Sequence, residues 1–257
     1  MRARVLTALA LIPLVLAAVF CQVPGVLHGL LTLVAVLALL ELARLINVKP
    51  WWAFFLLPVA AIFAWKGQIE PALCGVTTVA GAAALLASGT RWVPPALGTV
   101  LGSLWVLSPL AAILLLGRPQ GPDTWNVHSP ILMALVPLWI GDTAAIFVGK
   151  YCGRHKMAPT ISPKKTWEGA GGNLLGCIVG AWLVGLWNNY PLALVIAVGV
   201  STGVLGQVGD LFESYLKRRA DLKDSGTLLP GHGGVLDRID SMLMSAPAVA
   251  IALLLTH

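Results

Sequence analysis

Charged side chains are scarce in this chain. Only 11% of its 257 residues are charged, whereas 58% are hydrophobic. A water-soluble domain carries roughly 25% charged residues, so a packed soluble core does not explain this deficit. Several membrane-spanning helices do explain it, because each one needs about 20 mostly apolar residues. The composition therefore predicts an all-α, polytopic integral membrane protein.

Cysteine is also sparse, and histidine shows no cluster. The four cysteines are scattered without a close pair or a metal-type spacing: Cys21, Cys74, Cys152 and Cys177. This pattern argues against a disulfide framework. Cys152 and His155 form only a lone C-x-x-H, and no Ser-His-Asp or Cys-His arrangement is evident. We therefore expect neither a thiolate metal site nor a hydrolytic triad.

Basic residues exceed acidic ones, with a net charge of +6. In a soluble protein this excess would point to nucleic acid. In a membrane protein, basic cytoplasmic loops beside anionic lipid account for it. We therefore predict that the partner is the lipid bilayer and that no nucleic acid is bound.

Apolar runs predict about nine transmembrane helices, at roughly 5–22, 27–46, 51–65, 71–88, 96–116, 130–149, 170–187, 191–213 and 236–256. The first run follows Arg2 and Arg4, as in a secretory signal. No clear small-residue cleavage site follows it, so we expect a retained first helix. We divide the chain into a scaffold of transmembrane helices, 1–128, and a region expected to carry the chemistry, 129–257.

The lysines and arginines predict the orientation of these helices. With a cytoplasmic N-terminus and nine alternating spans, 15 of the 17 basic residues lie on the cytoplasmic side, and only Lys66 and Arg118 lie on the other. This asymmetry satisfies the positive-inside rule. The polar loops 150–169 and 214–235 are therefore expected to face the cytoplasm. In the scaffold, Glu41 and Arg44 stand one turn apart and are expected to pair.

An acidic residue interrupts the span 130–149. Asp142 lies about eight residues from the predicted cytoplasmic end, or roughly 12 Å deep at 1.5 Å per residue. A carboxylate at that depth must face the bundle interior, water, a cation or a basic partner. A structural polar contact between helices is the alternative interpretation. The following loop contains hydroxyl and ammonium groups suited to phosphate, at Ser162, Lys164, Lys165 and Thr166. A basic loop is also an ordinary topology signal.

The polar stretch 209–241 joins the last two predicted spans and holds more than half of the acidic residues. Helical spacing places one set of side chains on a single face: Asp210, Glu213, Ser214 and Lys217. Asp237 and Asp240 repeat part of this spacing at the start of the last span. Carboxylates on two facing helix ends form an oxygen site suited to Mg²⁺, and nearby cations suit phosphate. These residues predict a metal-dependent phosphate-transfer enzyme that acts on a lipid.

Residues 214–240 resemble the signature of the phosphatidate cytidylyltransferase (CDP-diacylglycerol synthase) family. That pattern is S-x-hydrophobic-K-R, four residues, K-D-x-small, then P-x-H-G-G, a hydrophobic residue and x-D-R-hydrophobic-D. This chain matches it with Ser214, Lys217, Arg218, Lys223, Asp224, Gly226, Pro230, His232, Gly233, Gly234, Asp237, Arg238 and Asp240. The run 162–169 and the Asp142 span resemble upstream elements of the family. The resemblance covers roughly 137–241.

The resemblance implies a Mg²⁺-dependent reaction of CTP with phosphatidic acid that yields CDP-diacylglycerol and pyrophosphate. It implies a dimeric inner-membrane protein of a bacterium with a cytoplasm-facing site, and a second cation such as K⁺. By motif position, Asp210 and Asp237 would bind metal, with Asp240 close by, and the expected catalytic residues are these three together with Lys217 and Arg238. Substrate contacts are expected from Asp142, Ser162, Lys164, Lys165, Thr166, Ser214, Lys217, Arg218, Lys223, His232, Gly233 and Gly234. Arg238 would bind a phosphate or pair with an acid.

Two other functions fit parts of the pattern. A proton- or cation-coupled transporter would also carry an intramembrane acid such as Asp142. The charges gather on one side of the membrane, which favours the enzyme. A polyprenol or phytol kinase, or an ether-lipid cytidylyltransferase, would use a nucleotide on another lipid. The complete signature favours phosphatidate.

Overall fold

The computed structural model describes residues 12–47, 70–88, 95–118, 123–228 and 233–256. Helix α1 covers residues 12–20. The other helices are α2 (Pro24–Leu45), α3 (Pro71–Ala87), α4 (Pro95–Leu116), α5 (Leu132–Tyr151), α6 (Trp167–Asn188), α7 (Leu192–Arg219) and α8 (Leu236–Leu254). Two short strands, β1 (Lys156–Ala158) and β2 (Ser162–Thr166), lie between α5 and α6. The described part of the chain is thus mostly helical.

The apolar runs predict these helices well. Each predicted span within the described residues contains a helix, and most ends agree within a few residues. Helix α7 differs, because it continues to Arg219 instead of ending at residue 213. The predicted span 51–65 lies outside the described residues. Four described helices are long and apolar enough to cross a membrane, namely α2, α5, α6 and α7. The count of nine spans and the cytoplasmic N-terminus stay predictions.

Glycines let α5 and α6 approach each other closely. Gly172, Gly176 and Gly180 follow one another at intervals of four along α6. A Cβ atom added to Gly176 would lie 2.8 Å from the Cα atom of Gly141, and one on Gly180 would lie 2.7 Å from Cα of Pro137. Small residues at this spacing are typical of helix pairs in membranes, where close backbone approach supplies the packing energy.

Helix α8 packs against most of the bundle. It contacts α7, α5, α4, α3 and α2, and Leu243 and Val249 on it are fully buried. The outer face of α6 carries exposed apolar side chains, including Leu175, Val179 and Trp182. Such a face suits contact with lipid rather than water. Because α8 has these many contacts, its N-terminus lies among neighbouring helices, and its acidic residues lie beside three other helix ends.

The basic loop after α5 folds into an antiparallel hairpin. Lys156 pairs with Thr166 and Ala158 with Ser162. The all-α prediction is therefore incomplete at this point. Strands of three and five residues are too short to show a period-two pattern, and Pro163 suggests a turn. The hairpin is exposed at Pro163, where an edge strand tolerates proline because the missing N–H has no required partner.

Candidate active site

Most of the charged side chains described below meet where four helices end. The C-terminal half of α5, the N-terminus of α6, the C-terminus of α7 and the N-terminus of α8 lie on the same side of the bundle. The hairpin and the segment that joins α7 to α8 lie beside them. The structure therefore brings together the three polar regions that the sequence singles out.

Lys165 and Asp210 form one ion pair of the site. The Lys165 Nζ atom lies 2.6 Å from Asp210 Oδ2, and the two side chains are 23% and 35% exposed. Ser214 donates a hydrogen bond of 3.4 Å to the other carboxylate oxygen. The contact ties the hairpin to α7. Because Asp210 stays partly exposed and has few protein partners, it remains accessible to a bound cation or substrate.

Lys217 forms ion pairs with two carboxylates in a second, buried cluster. Its Nζ atom pairs with Glu213 one helical turn earlier and lies 2.5 Å from Asp237 Oδ1. The side chains of Lys217, Glu213 and Asp237 are 12%, 0% and 4% exposed. A carboxylate as buried as that of Glu213 needs a cation close by, since an unpaired buried charge costs several kcal/mol. Lys217 is therefore engaged with protein groups.

Asp237 is fully hydrogen-bonded by its own surroundings. Its Oδ2 atom accepts hydrogen bonds from the Ser225 N–H at 2.9 Å and the Gly234 N–H at 2.7 Å, and the Ser225 hydroxyl lies 2.9 Å from the same atom. With Lys217 on Oδ1, both carboxylate oxygens are occupied. Asp237 thus fixes the segment between α7 and α8 to the start of α8.

Asp142 and Asp240 complete the acidic part of the site. Asn173 on α6 donates a hydrogen bond of 3.1 Å to Asp142 Oδ1. Asp142 and Asp210 are electrostatic neighbours of Asp240, and Arg238 is a neighbour of Asp142. The sequence interpretation missed Asn173 as a site residue, because an amide in an apolar helix has no local partner that would indicate its role. The observable signal was its polarity within a predicted span.

The basic side chains divide into engaged and open ones. Arg218 donates to the carbonyl oxygens of Ile161, at 3.1 Å, and Leu222, at 3.2 Å, and so holds the hairpin turn against α7. Three other predicted phosphate-binding or site cations are exposed, and their side chains form no hydrogen bond or ion pair with the described part of the chain: Lys164, Lys223 and Arg238. These three are the cations best placed to receive substrate phosphate.

Glu41 is a site residue that the sequence interpretation missed. Its carboxylate accepts the N–H groups of Val235, at 3.0 Å, and Leu236, at 2.8 Å, and the hydroxyl of Ser225, at 2.8 Å. The predicted ion pair with Arg44 is wrong, since Arg44 is exposed and Glu41 is buried against the segment before α8. The partners are nearly 200 residues away in sequence, so no local spacing indicates them.

The predicted glycine contacts belong partly to this arrangement. Gly233 has a φ angle of 82°, which glycine adopts without strain. Gly234 donates its N–H to Asp237, and a Cβ atom on Gly226 would lie 2.5 Å from Glu41 Oε1. His232 lies outside the described residues. The expected contacts of Gly233 and Gly234 with substrate stay predictions.

Two hydroxyl residues of the hairpin have different surroundings. Thr166 is buried and caps α6, because its hydroxyl oxygen accepts the Gly169 N–H at 3.1 Å. Serine and threonine are favoured at this position for that hydrogen bond. Ser162 is half-buried at the start of β2. The structure thus supplies a folding role for Thr166, and substrate contact by either residue stays a prediction.

The acidic side chains can be tested for their fit to Mg²⁺. Within the described residues, no group of three or more His, Cys, Asp or Glu side chains has the arrangement of a complete metal site. Mg²⁺ in phosphate chemistry commonly takes only one or two carboxylates and completes its shell with water and substrate oxygens. Asp210 fits that requirement, because it is accessible and lies near Asp240. Asp237 fits it less well, because its oxygens are already occupied.

Comparisons with known proteins identify the family of this chain. The pattern of the cytidylyltransferase family matches residues 2–256. A phosphatidate cytidylyltransferase of Haemophilus influenzae is 32% identical over 279 aligned residues, which cover 96% of this chain and 96% of the relative. The enzyme of the same name from Bacillus subtilis is 45% identical over 119 residues, 46% of this chain and 44% of the relative. That of Brucella suis is 38% identical over 179 residues, 65% of this chain and 60% of the relative. The chain belongs to the cytidylyltransferase family.

Proposed function

We propose that this protein transfers the cytidylyl group of CTP to phosphatidic acid and forms CDP-diacylglycerol and pyrophosphate. The observation that carries the proposal is the similarity to the Haemophilus influenzae phosphatidate cytidylyltransferase, which extends over nearly the whole length of both chains. The open cations and the accessible carboxylates of Asp142 and Asp210 at one end of an apolar bundle support it, because they suit two phosphate-bearing substrates at a membrane surface.

The reaction needs little covalent chemistry from the protein. An oxygen of the lipid phosphate forms a bond with the α-phosphorus of CTP, and the bond between the α-phosphorus and the bridging oxygen breaks as pyrophosphate leaves. A phosphate monoester near neutral pH is already largely ionised, so no side chain has to remove a proton. The contribution of the protein is to align two anionic groups that repel each other.

The open cations can provide this alignment. Lys164 on the hairpin, Lys223 beyond α7 and Arg238 on α8 approach the site from three different elements. Lysine acts as a point charge towards phosphate, whereas arginine can bind two of its oxygens at once. We assign the phosphate groups of CTP and of the lipid to these side chains. Lys165 and Lys217 keep the carboxylates of Asp210, Glu213 and Asp237 in position.

Mg²⁺ belongs to the proposal as a cofactor. Asp210 would hold it with the nearby Asp240, and the bound ion would offset negative charge on the phosphate oxygens. Asp237 is the second carboxylate that the motif predicts. For it to bind the ion directly, Lys217 or the Ser225 hydroxyl would have to give up its place on one oxygen. A second cation such as K⁺ remains part of the proposal.

The wider setting is also proposed. We place the protein in the inner membrane of a bacterium, as a multi-pass homodimer with about nine helices and with the site facing the cytoplasm. The relatives named above are bacterial. The concentration of basic residues in the loops beside the site supports the cytoplasmic orientation. Cysteine accessibility in sealed vesicles, with single cysteines placed in the loops 150–169 and 214–235, would test it.

The activity itself is tested with the full chain purified in detergent. CTP, phosphatidic acid and Mg²⁺ are expected to give CDP-diacylglycerol and pyrophosphate in equal amounts, and omission of any one of the three is expected to stop both products. Parallel reactions with a polyprenol, phytol or an ether lipid test the related enzymes. If no lipid product forms from phosphatidic acid at any lipid composition, the proposed function is wrong.

A further inference from the structure

A buried carboxylate connects the N-terminal half of the chain to the site. Glu41 lies in α2 and is 4% exposed. Its two oxygens accept three hydrogen bonds, all from the segment that precedes α8 or from the first turn of that helix. Within the described residues no ion pair reaches it. The negative charge is therefore held by N–H groups and a hydroxyl alone.

Two of these hydrogen bonds, from the N–H groups of Val235 and Leu236, satisfy the N-terminus of α8. The N–H groups of Val235 and Leu236 lie at the start of the helix, where they have no partner within it. A negative charge at this end is also favoured by the helix dipole. Usually a residue just before the helix supplies the acceptor. Here the cap residue forms no side-chain hydrogen bond, and a side chain from a distant helix replaces it.

The third bond leads to the catalytic region. The Ser225 hydroxyl lies 2.8 Å from Glu41 Oε2 and 2.9 Å from Asp237 Oδ2. A hydroxyl carries one proton, so it donates to one of these two oxygens at a time. It thus stands directly between the buried acid of α2 and the acid that pairs with Lys217. Because the Ser225 N–H also binds Asp237, a shift of this serine would move the carboxylate of Asp237. Glu41 is separated from Asp237 by a single side chain.

We infer that Glu41 is a positioning residue of the active site, which holds Ser225 and the N-terminus of α8 so that Asp237 and Lys217 keep their geometry. Its effect on turnover rests on the proposed function, whereas its hold on the segment does not. The signature glycines support the inference. Gly226 and Gly234 pack against the Glu41 carboxylate, and a Cβ atom on either would collide with one of its oxygens.

The inference differs from a purely stabilising cap. A cap alone would change the thermal stability of the protein and leave the turnover of folded molecules unchanged. A positioning residue also lowers kcat, because a displacement of about 1 Å at a reacting group is sufficient to slow catalysis about 100-fold. It leaves KM nearly unchanged, since Glu41 itself touches no substrate phosphate in this arrangement.

The experiment compares Glu41→Gln with Glu70→Gln, an identical change at an exposed glutamate before α3. Glutamine places an NH₂ group towards donors and loses one acceptor. For Glu41→Gln we expect kcat to fall about 10- to 100-fold with KM for CTP within about twofold. Hydrogen exchange at the Val235 and Leu236 amides is expected to rise about tenfold or more. Glu70→Gln is expected to change none of these.

A double-mutant cycle provides the second test, and the Ser225→Ala variant described below serves if changes at Glu41 prevent folding. Gly226→Ala is expected to slow turnover because its methyl group meets the Glu41 carboxylate. If that collision is the cause, Glu41→Ala with Gly226→Ala is expected to be no worse than Glu41→Ala alone. Additive losses would overturn the inference. Ser225→Ala, which keeps Glu41, is expected to lower kcat about five- to tenfold.

The outcomes separate the two claims. If Glu41→Gln accelerates amide exchange but leaves kcat unchanged, Glu41 is only a cap and the inference is wrong. If exchange is also unchanged, Glu41 does not hold the segment at all. If the wild-type protein forms no CDP-diacylglycerol, the proposed function fails. Amide exchange, together with the thermal stability of the Glu41 and Gly226 variants, still decides whether Glu41 anchors this segment.

Discussion

The site contains two lysine–aspartate pairs that differ in solvent exposure and in the number of their protein partners. Lys165 reaches Asp210 from the hairpin, in a pair that is roughly one quarter to one third exposed. Lys217 reaches Asp237 within a buried cluster that includes Glu213, Ser225 and Gly234. The first aspartate has few partners in the described part of the chain, whereas four donor groups lie within hydrogen-bonding distance of the two oxygens of the second.

This difference indicates that Asp210 and Asp237 have separate roles, although the family motif presents both as metal-binding residues. A carboxylate with unused oxygen lone pairs can exchange a lysine for a metal ion or a phosphate at small cost. A saturated buried carboxylate cannot exchange its partners without leaving a buried group unpaired. We therefore expect Asp210 to act on the bound substrates and Asp237 to keep the site in shape. Changes at the two aspartates should separate activity from stability.

The largest effect is expected for Asp210→Asn. The change removes the partly exposed charge that we assign to the bound cation, so the rate of CDP-diacylglycerol formation should fall by about 10³-fold. The midpoint of thermal denaturation should stay close to that of the wild type, because only one partly exposed ion pair is lost. Asp123→Asn, at an exposed position between α4 and α5, is the matched control. A variant that keeps one tenth of the activity would contradict the role of Asp210.

A smaller loss of activity, but a larger loss of stability, is expected for Asp237→Asn. An amide cannot replace a carboxylate that accepts from two N–H groups, a hydroxyl and Lys217. The free energy of unfolding should fall by about 3 kcal/mol, and activity should fall about 100-fold. Denaturation and turnover are measured on the same detergent preparation. The comparison of the two pairs fails if this variant melts like the wild type and Asp210→Asn does not.

The smallest of the three effects is expected for Arg238→Gln. Arg238 has no carboxylate partner of its own within hydrogen-bonding distance in the described structure, so its loss should leave stability unchanged. The KM for CTP or for phosphatidic acid should rise about tenfold, the value of one charge-assisted hydrogen bond. Arg118→Gln, at an exposed position after α4, is the control. Unchanged KM values for both substrates would remove Arg238 from the phosphate site.

The sequence predicts the helices because their signal is local. Runs of apolar residues mark α2 to α8 to within a few residues at most ends, and proline marks the first position of α2 and α3. The hairpin is missed because Ser162–Thr166 is polar, contains a proline and is only five residues long. Strands that short have no periodicity to detect, and their pairing depends on the neighbouring turn.

The sequence offers candidate residues for the site, but it does not give the contacts among them. The spacing of Asp210, Glu213 and Lys217 correctly indicates one helix face. Sequence cannot tell which acid each lysine selects, because Lys165 and Asp210 are 45 positions apart and come from different elements. Glu41 shows the same limit more strongly. A single acid within an apolar helix signals a buried partner, but the nearest basic residue, Arg44, is not that partner.

The glycines between α5 and α6 have a consequence for the precision of the site. Gly141 and Gly176 bring two backbones into direct contact, and Asp142 and Asn173 are positioned by that contact. Glycine has no side-chain rotamers, so the contact itself loses no side-chain entropy when the two helices pack. The distance between the two backbones at Asp142 and Asn173 is therefore set by direct main-chain packing, close enough for the 3.1 Å hydrogen bond between their side chains.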